Sequence, residues 1–179
     1  MTTATASPRK ARGSAPKNFH GRLITPRIGA VWAGQGGILA GIVKGEGGQP
    51  DYCLVAPPDR SGIIRGAWGP QESIKGALSE VDGLANTQAM AAAGSDIARS
   101  ALALEIDGHR DYYIAARREA RIVYANVSDQ YQSEWRWTST QHAADSIWAW
   151  FQNFGHGHQS SWSKDHEFPA LLVRRVPIR

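Results

Sequence analysis

The sequence predicts an α+β fold, and three observations in chain order predict it. Two short apolar runs flank a turn-rich stretch near the start. An alanine-rich middle repeats its apolar residues at helical spacing. The last third alternates apolar and polar residues at period two and holds five of the seven tryptophans. Strands, then helices, then strands is the order of an α+β domain rather than of alternating β-α-β units.

The 179 residues suit one domain with an extension, expected as a basic extended arm over 1–25 and a domain over 26–179. Residues 1–27 hold Arg9, Lys10, Arg12, Lys17, Arg22 and Arg27 and no acidic residue. Of the chain's 20 Lys and Arg, 14 remain for the body against 16 Asp and Glu, a net of −2. Basicity belongs to the arm. Nucleic acid is therefore an expected partner only through the arm, not through a face of the body. The arm has almost nothing to bury and is expected to lack structure in isolation. A solvated tail, an assembly arm on neighbouring subunits and an organelle transit peptide all fit its composition. The assembly arm is the expected one, with Arg9, Lys10, Arg12, Lys17 and Arg22 as its contacts.

In the body, Ile38 to Val43 reads as a strand and Tyr52 to Ala56 as its hairpin partner, with Gly45 to Asp51 between them. The lone cysteine, Cys53, excludes an internal disulfide and, inside an apolar run, is expected as a buried thiol. Gly34 to Gly37 lacks the Gly-Lys-Ser/Thr ending of a phosphate loop. Gln49-Pro50-Asp51 matches the galactose-type tripeptide of calcium-dependent lectins, but it falls in an early turn where Pro-Asp is ordinary.

The middle predicts two short helices. One runs from Asn86, as cap, to Leu104, interrupted at Gly94-Ser95-Asp96, with Met90, Ile97, Ala101 and Leu104 facing the core. The other spans Ala116 to about Ala125, burying Ala120, Val123 and Tyr124 and leaving Arg117, Arg118 and Arg121 in water. The end predicts strands over 134–138, 147–152 and 171–176, and the domain as a whole is expected to hold a small, mainly antiparallel sheet. An amphipathic helix over 142–153 is the alternative for the middle strand.

With these segments placed, the chain resembles a domain family of unknown function found in phage and prophage proteins. That family is related to the C-terminal domain of Legionella collagen-like protein and, more distantly, to formylglycine-generating-enzyme-like C-type-lectin folds. The resemblance is carried by Pro26-Arg27-Ile28-Gly29, Gly34-Gln35-Gly36-Gly37, Asp82-Gly83-Leu84-Ala85-Asn86-Thr87, Asp107-Gly108-His109-Arg110-Asp111-Tyr112-Tyr113, Arg117-Arg118-Glu119, Tyr124-Ala125-Asn126-Val127, Trp137-Thr138-Ser139-Thr140-Gln141 and Val173-Arg174-Arg175. Together they span about residues 26–176 in the family's order. Two departures are Ile114-Ala115, where the family has Leu-Pro, and Thr138, where it has Ser.

The resemblance implies a C-type-lectin-like domain in a virion, on a tail or capsid surface. Its expected partners are other virion subunits and a host-surface protein or glycan, and the chain is expected to be an oligomer in the particle. It implies fold rather than chemistry, because the cysteine pair of formylglycine-generating enzymes cannot form with Cys53 alone. No Gly-x-Ser-x-Gly turn is present, and no enzyme activity, cofactor or membrane insertion is expected. His156-Gly157-His158, near Asp165 and His166, matches no established ligand spacing, so no metal is expected.

The expected binding surface is the segment from Gln141 to Lys164. Its residues are Gln141, His142, Asp145, Trp148, Trp150, His156, His158, Gln159, Ser161, Trp162 and Lys164, large flat rings beside short polar side chains in an exposed loop. Trp162 is expected exposed and Trp135 and Trp137 buried, while Trp148 and Trp150 fit either core or surface.

Overall fold

The computed structural model describes residues 24–58 and 63–178, and the arm contacts Arg9, Lys10, Arg12, Lys17 and Arg22 lie outside them. In chain order come β1 (Val31–Trp32), β2 (Gly37–Val43), β3 (Tyr52–Ala56), β4 (Arg65–Ala67), α1 (Gly83–Ala92), α2 (Asp96–Ala103), β5 (Tyr113–Ile114) and α3 (Arg117–Val127). Then follow β6 (Trp135–Gln141), β7 (Trp148–Asn153), β8 (Gln159–Ser163), β9 (Glu167–Pro169) and β10 (Leu172–Pro177). The arrangement is α+β. Among the described residues, the pairings between these strands are all antiparallel.

The strands form three sheets, where one small sheet was expected. The largest has the order β1-β2-β3-β10-β5, the second is β6-β7-β8, and β4 pairs with β9. The β2-β3 hairpin forms as expected, and Asp51 Oδ1 accepts from Gly45 N at 2.8 Å to close its loop. That contact gives Gln49-Pro50-Asp51 a structural task. Residues 148–153 are a strand, not part of a helix, because Ala149 and Phe151 meet the core on alternate positions.

Among the described residues, three α-helices stand where two were expected. Gly94, at φ +101°, ends α1, and the Ser95 side chain caps α2. Helix α1 starts earlier than expected, with Asp82 Oδ1 accepting from Ala85 N at 3.1 Å. Asn86 sits inside that helix, fully buried, and clasps Ser79 through its N–H and carbonyl at 3.1 and 2.7 Å.

Two core clusters fill the space between these elements. Helix α3 lays Ala120, Val123 and Val127 on one face of the large sheet, against Ile38, Leu54 and Val173. Helices α1 and α2 bring Met90, Ile97 and Ala101 to Trp68, Trp137 and Phe151. On the far face of the large sheet a smaller cluster holds Trp32, Leu39, Val55, Val176 and Cys53, whose thiol burial pushes up in pKa.

Candidate functional site

Strand alternation sorts the β6-β7-β8 sheet into two faces. The pairs Trp137–Phe151 and Ala149–Trp162 put Trp135, Trp137, Ala149, Phe151 and Trp162 on one face. The pairs Trp148–Ser163, Trp150–Ser161 and Gln152–Gln159 fill the other, which α3 overlies.

The first face is a tiered aromatic surface. Trp137 is sealed, with its indole N–H directed to Gly66 O at 3.2 Å. Trp135, expected in the core, is 37% exposed, as is Trp162. The reason is position: Trp135 opens β6 at the sheet end, and only one side of its ring stacks, on Phe151 at 4.7 Å. Trp162 meets Trp135 edge to face at 5.6 Å and His166 at 5.6 Å. Phe168 of β9 lies beside Trp135 and Trp137, and the Arg65–Glu134 ion pair, 3.0 Å long, borders the rings.

His156 and His158 are exposed beside this face, in a tight turn. Asn153 Oδ1 accepts from the N–H groups of Gly155 and His156 at 2.8 and 3.0 Å, so the turn is held by its own first residue. Gly157, at φ +81°, is required there, since a Cβ would stand 2.6 Å from the Tyr124 hydroxyl. The two imidazoles lie 6.4 Å apart and nearly parallel. Among the described residues, no group of three or more His, Cys, Asp or Glu could hold a metal ion.

Burial corrects several expectations. Lys164 and Gln141, expected to meet a ligand, are buried. Lys164, at 0% exposure, directs its three ammonium donors to Pro70 O, Glu72 O and Gln141 Oε1 at 3.1, 3.0 and 2.8 Å. Gln141 Oε1 also accepts from Ile74 N at 2.9 Å. Together they pin the 70–74 loop, which is why a lysine flanked by polar residues ends up inside. Its burial lowers the ammonium pKa to about 8, against the opposing charge of Glu72.

Residues 159–163, expected within a loop, are the edge strand β8, so Ser161 is half-buried against Trp150. Trp148 and Trp150 are half-buried, and Trp150 has Arg117 over its ring and His142 beside it. Gln159 accepts from Arg117 and Arg121 and so ties β8 to α3. Asp145 is exposed and accepts from Ile147 N at 3.1 Å, shaping its own turn. Of the expected binding residues, Trp162, His156 and His158 border the open aromatic face, and Trp135, His166 and Phe168 join it.

A second constellation carries no local sequence signal, because its members lie far apart in the chain. Glu119 of α3 is buried, and its Oε1 accepts from Tyr52, Tyr113 and Arg175 at 2.8, 2.7 and 3.1 Å. Its Oε2 accepts from Ala116 N at 2.8 Å, a reach back to the start of its own helix. Burial raises the Glu119 pKa, while Arg175, Ala116 N–H and the two phenols pull it back. Burial and the Glu119 charge raise both Tyr52 and Tyr113 above ordinary phenols. The arrangement is a buried network centred on Glu119 that borders a cavity.

No protein-family model matches the chain, and no curated protein matches it either.

Proposed function

We propose that the chain is a non-enzymatic phage virion protein with a C-type-lectin-like domain, which uses its Trp135–Trp162 face to attach a tail or fibre to the host surface. One observation carries this reading: two tryptophans, each more than a third exposed, meet edge to face on a hydrogen-bonded sheet with histidines at the border. Tryptophan supplies contact area at little entropic cost, and rings already fixed by a sheet lose little more on binding. The lectin-like arrangement rests on the motif set over residues 26–176, and the α+β order with antiparallel sheets supports it. The partner is a host-surface protein or glycan, and neither a cofactor nor a metal is required.

A second reading, a capsid or tail decoration protein held by its arm, is favoured by the charge segregation between residues 1–27 and the body. Deleting residues 1–25 would then release the protein from purified particles.

The test of the first reading is competition. Purified chain is added to host cells before the particles, and adsorption is counted. Wild-type chain should suppress adsorption, and the W135A/W162A chain, shown to be folded, should not. A wild-type chain that leaves adsorption unchanged at saturating dose, with antibody against it labelling no particle, rejects the attachment role.

A further inference from the structure

The network around Glu119 forms the floor of a cavity of about 180 Å³ between the β2-β3 hairpin, α3 and the start of α1. Its walls are apolar at Val43 and Ile122, the Tyr52 ring stands beside them, and Lys44 and Arg118 are at its edge. A cavity of ~150 Å³ already admits a molecule the size of benzene.

Which charge such a cavity favours depends on which polar groups are already engaged. Each carboxylate already accepts, Glu119 on both oxygens, Asp82 on Oδ1 from Ala85 N and Arg175 Nη2, and Glu46 on Oε1 from Arg118 at 3.2 Å. Two cations keep an unused donor. Arg175 uses Nε and Nη2 on Tyr113, Glu119 and Asp82, whereas its Nη1 has no partner among the described residues. The Lys44 ammonium is exposed and likewise has no partner among them.

We propose that this cavity binds a carboxylate carried on a short apolar stem, with the carboxylate on Arg175 Nη1 and Lys44 and the stem along Val43, Tyr52 and Ile122. Charge-assisted hydrogen bonds to a guanidinium and an ammonium hold the anion, and an apolar wall rejects a second charge on the stem. The same chemistry is offered by a free short-chain acid and by the C-terminal carboxylate of a chain ending in an aliphatic residue. It is separate from the Trp135–Trp162 face and stands without it.

The experiment is an NMR titration of the full chain with isovalerate, read at the Val43 and Ile122 methyl groups. Saturating shifts with a Kd on the order of 1 mM are expected, and none with the uncharged isovaleramide. K44E, at an exposed side chain, should weaken binding at least about ten-fold with the spectrum otherwise retained. A tetrapeptide ending in valine and its C-terminal amide separate the two sources. Binding of isovalerate alone assigns the cavity to a free acid, and binding of the free-carboxylate peptide but not its amide assigns it to a chain end. The proposal is overturned if neither isovalerate nor that peptide shifts these methyl groups, if isovaleramide shifts them equally, or if K44E binds as wild type does.

Discussion

The guanidinium carbon of Arg117 lies 3.5 Å from the centre of the Trp150 ring. The same side chain reaches Glu80 through Nη1 at 2.8 Å and Gln159 through Nε at 3.2 Å, and Gln159 Nε2 returns a bond to Arg117 O at 2.8 Å. Helix α3 is thereby fastened to the β6-β7-β8 sheet, and one side of Trp150 is occupied. Trp150 is an anchor for the sheet rather than part of its open surface.

The R117K variant tests that fastening. Lysine keeps the charge but loses the planar stack and the fork that serves Glu80 and Gln159 together. Urea denaturation should show a loss of about 1 kcal/mol with an unchanged slope. Wild-type stability in R117K would mean that the stack holds nothing.

The tryptophans should separate by depth rather than by neighbourhood in sequence. Trp137 is fully buried, so W137A should cost about 3–5 kcal/mol, through lost burial and the cavity left behind. Trp162 meets its neighbours by ring edges and faces water, so W162A should cost about 1 kcal/mol. Parallel denaturation curves measure both. Equal losses would contradict the tiered arrangement and remove the ground for calling the face open.

Much of the fold was legible because its signals are local. The β2-β3 hairpin shows as two apolar runs around glycines, and the break at Gly94 shows as a residue suited to positive φ followed by a capping serine. The candidate surface was legible only in part. Trp162 between serines reads as exposed, and it is. Lys164 looks the same in sequence, yet it is buried, since its three acceptors come from residues 23 to 94 positions away. Trp135 errs in the other direction. Period-two alternation says which side chains share a sheet face, but not where the covering layer ends, and β9 leaves that end of β6 partly open. The Glu119 network was illegible for the same reason as Lys164.

Gly83 offers a case in which helix propensity and packing predict opposite signs. It is the first residue of α1, and alanine is the better helix former by about 1 kcal/mol. A Cβ there would stand 2.5 Å from Glu119 Oε2 and 2.6 and 2.7 Å from the backbone atoms Ala116 N and Ile114 O. Backbone on two sides cannot yield cheaply. G83A should therefore lose about 1–3 kcal/mol in thermal or urea denaturation. A more stable G83A would show that the Glu119 network tolerates displacement.

Lys164 predicts a pH dependence whose sign is fixed. Its ammonium pKa is about 8 in the folded chain against an ordinary 10.5, so between these values the unfolded chain binds more protons. Stability contributed through this group must then rise with pH across that window, by up to about 3 kcal/mol at 1.36 kcal/mol per pH unit. Cys53, Tyr52, Tyr112 and Tyr113 act in the opposite sense at the alkaline end, because burial raises their pKa values and the folded chain keeps their protons longer. Wild type alone would mix these effects. The difference between wild type and K164M cancels them, since both chains share the thiol and the phenols. At pH 7, K164M should be less stable by about 1–3 kcal/mol, because Pro70 O and Glu72 O lose the donor they share. That gap should widen as pH climbs from 8 towards 10.5, because deprotonation relieves the wild-type chain of a buried charge and leaves K164M unaffected. Urea midpoints taken at half-unit steps would show it, and a gap constant from pH 7 to pH 10.5 would place the Lys164 ammonium in contact with water.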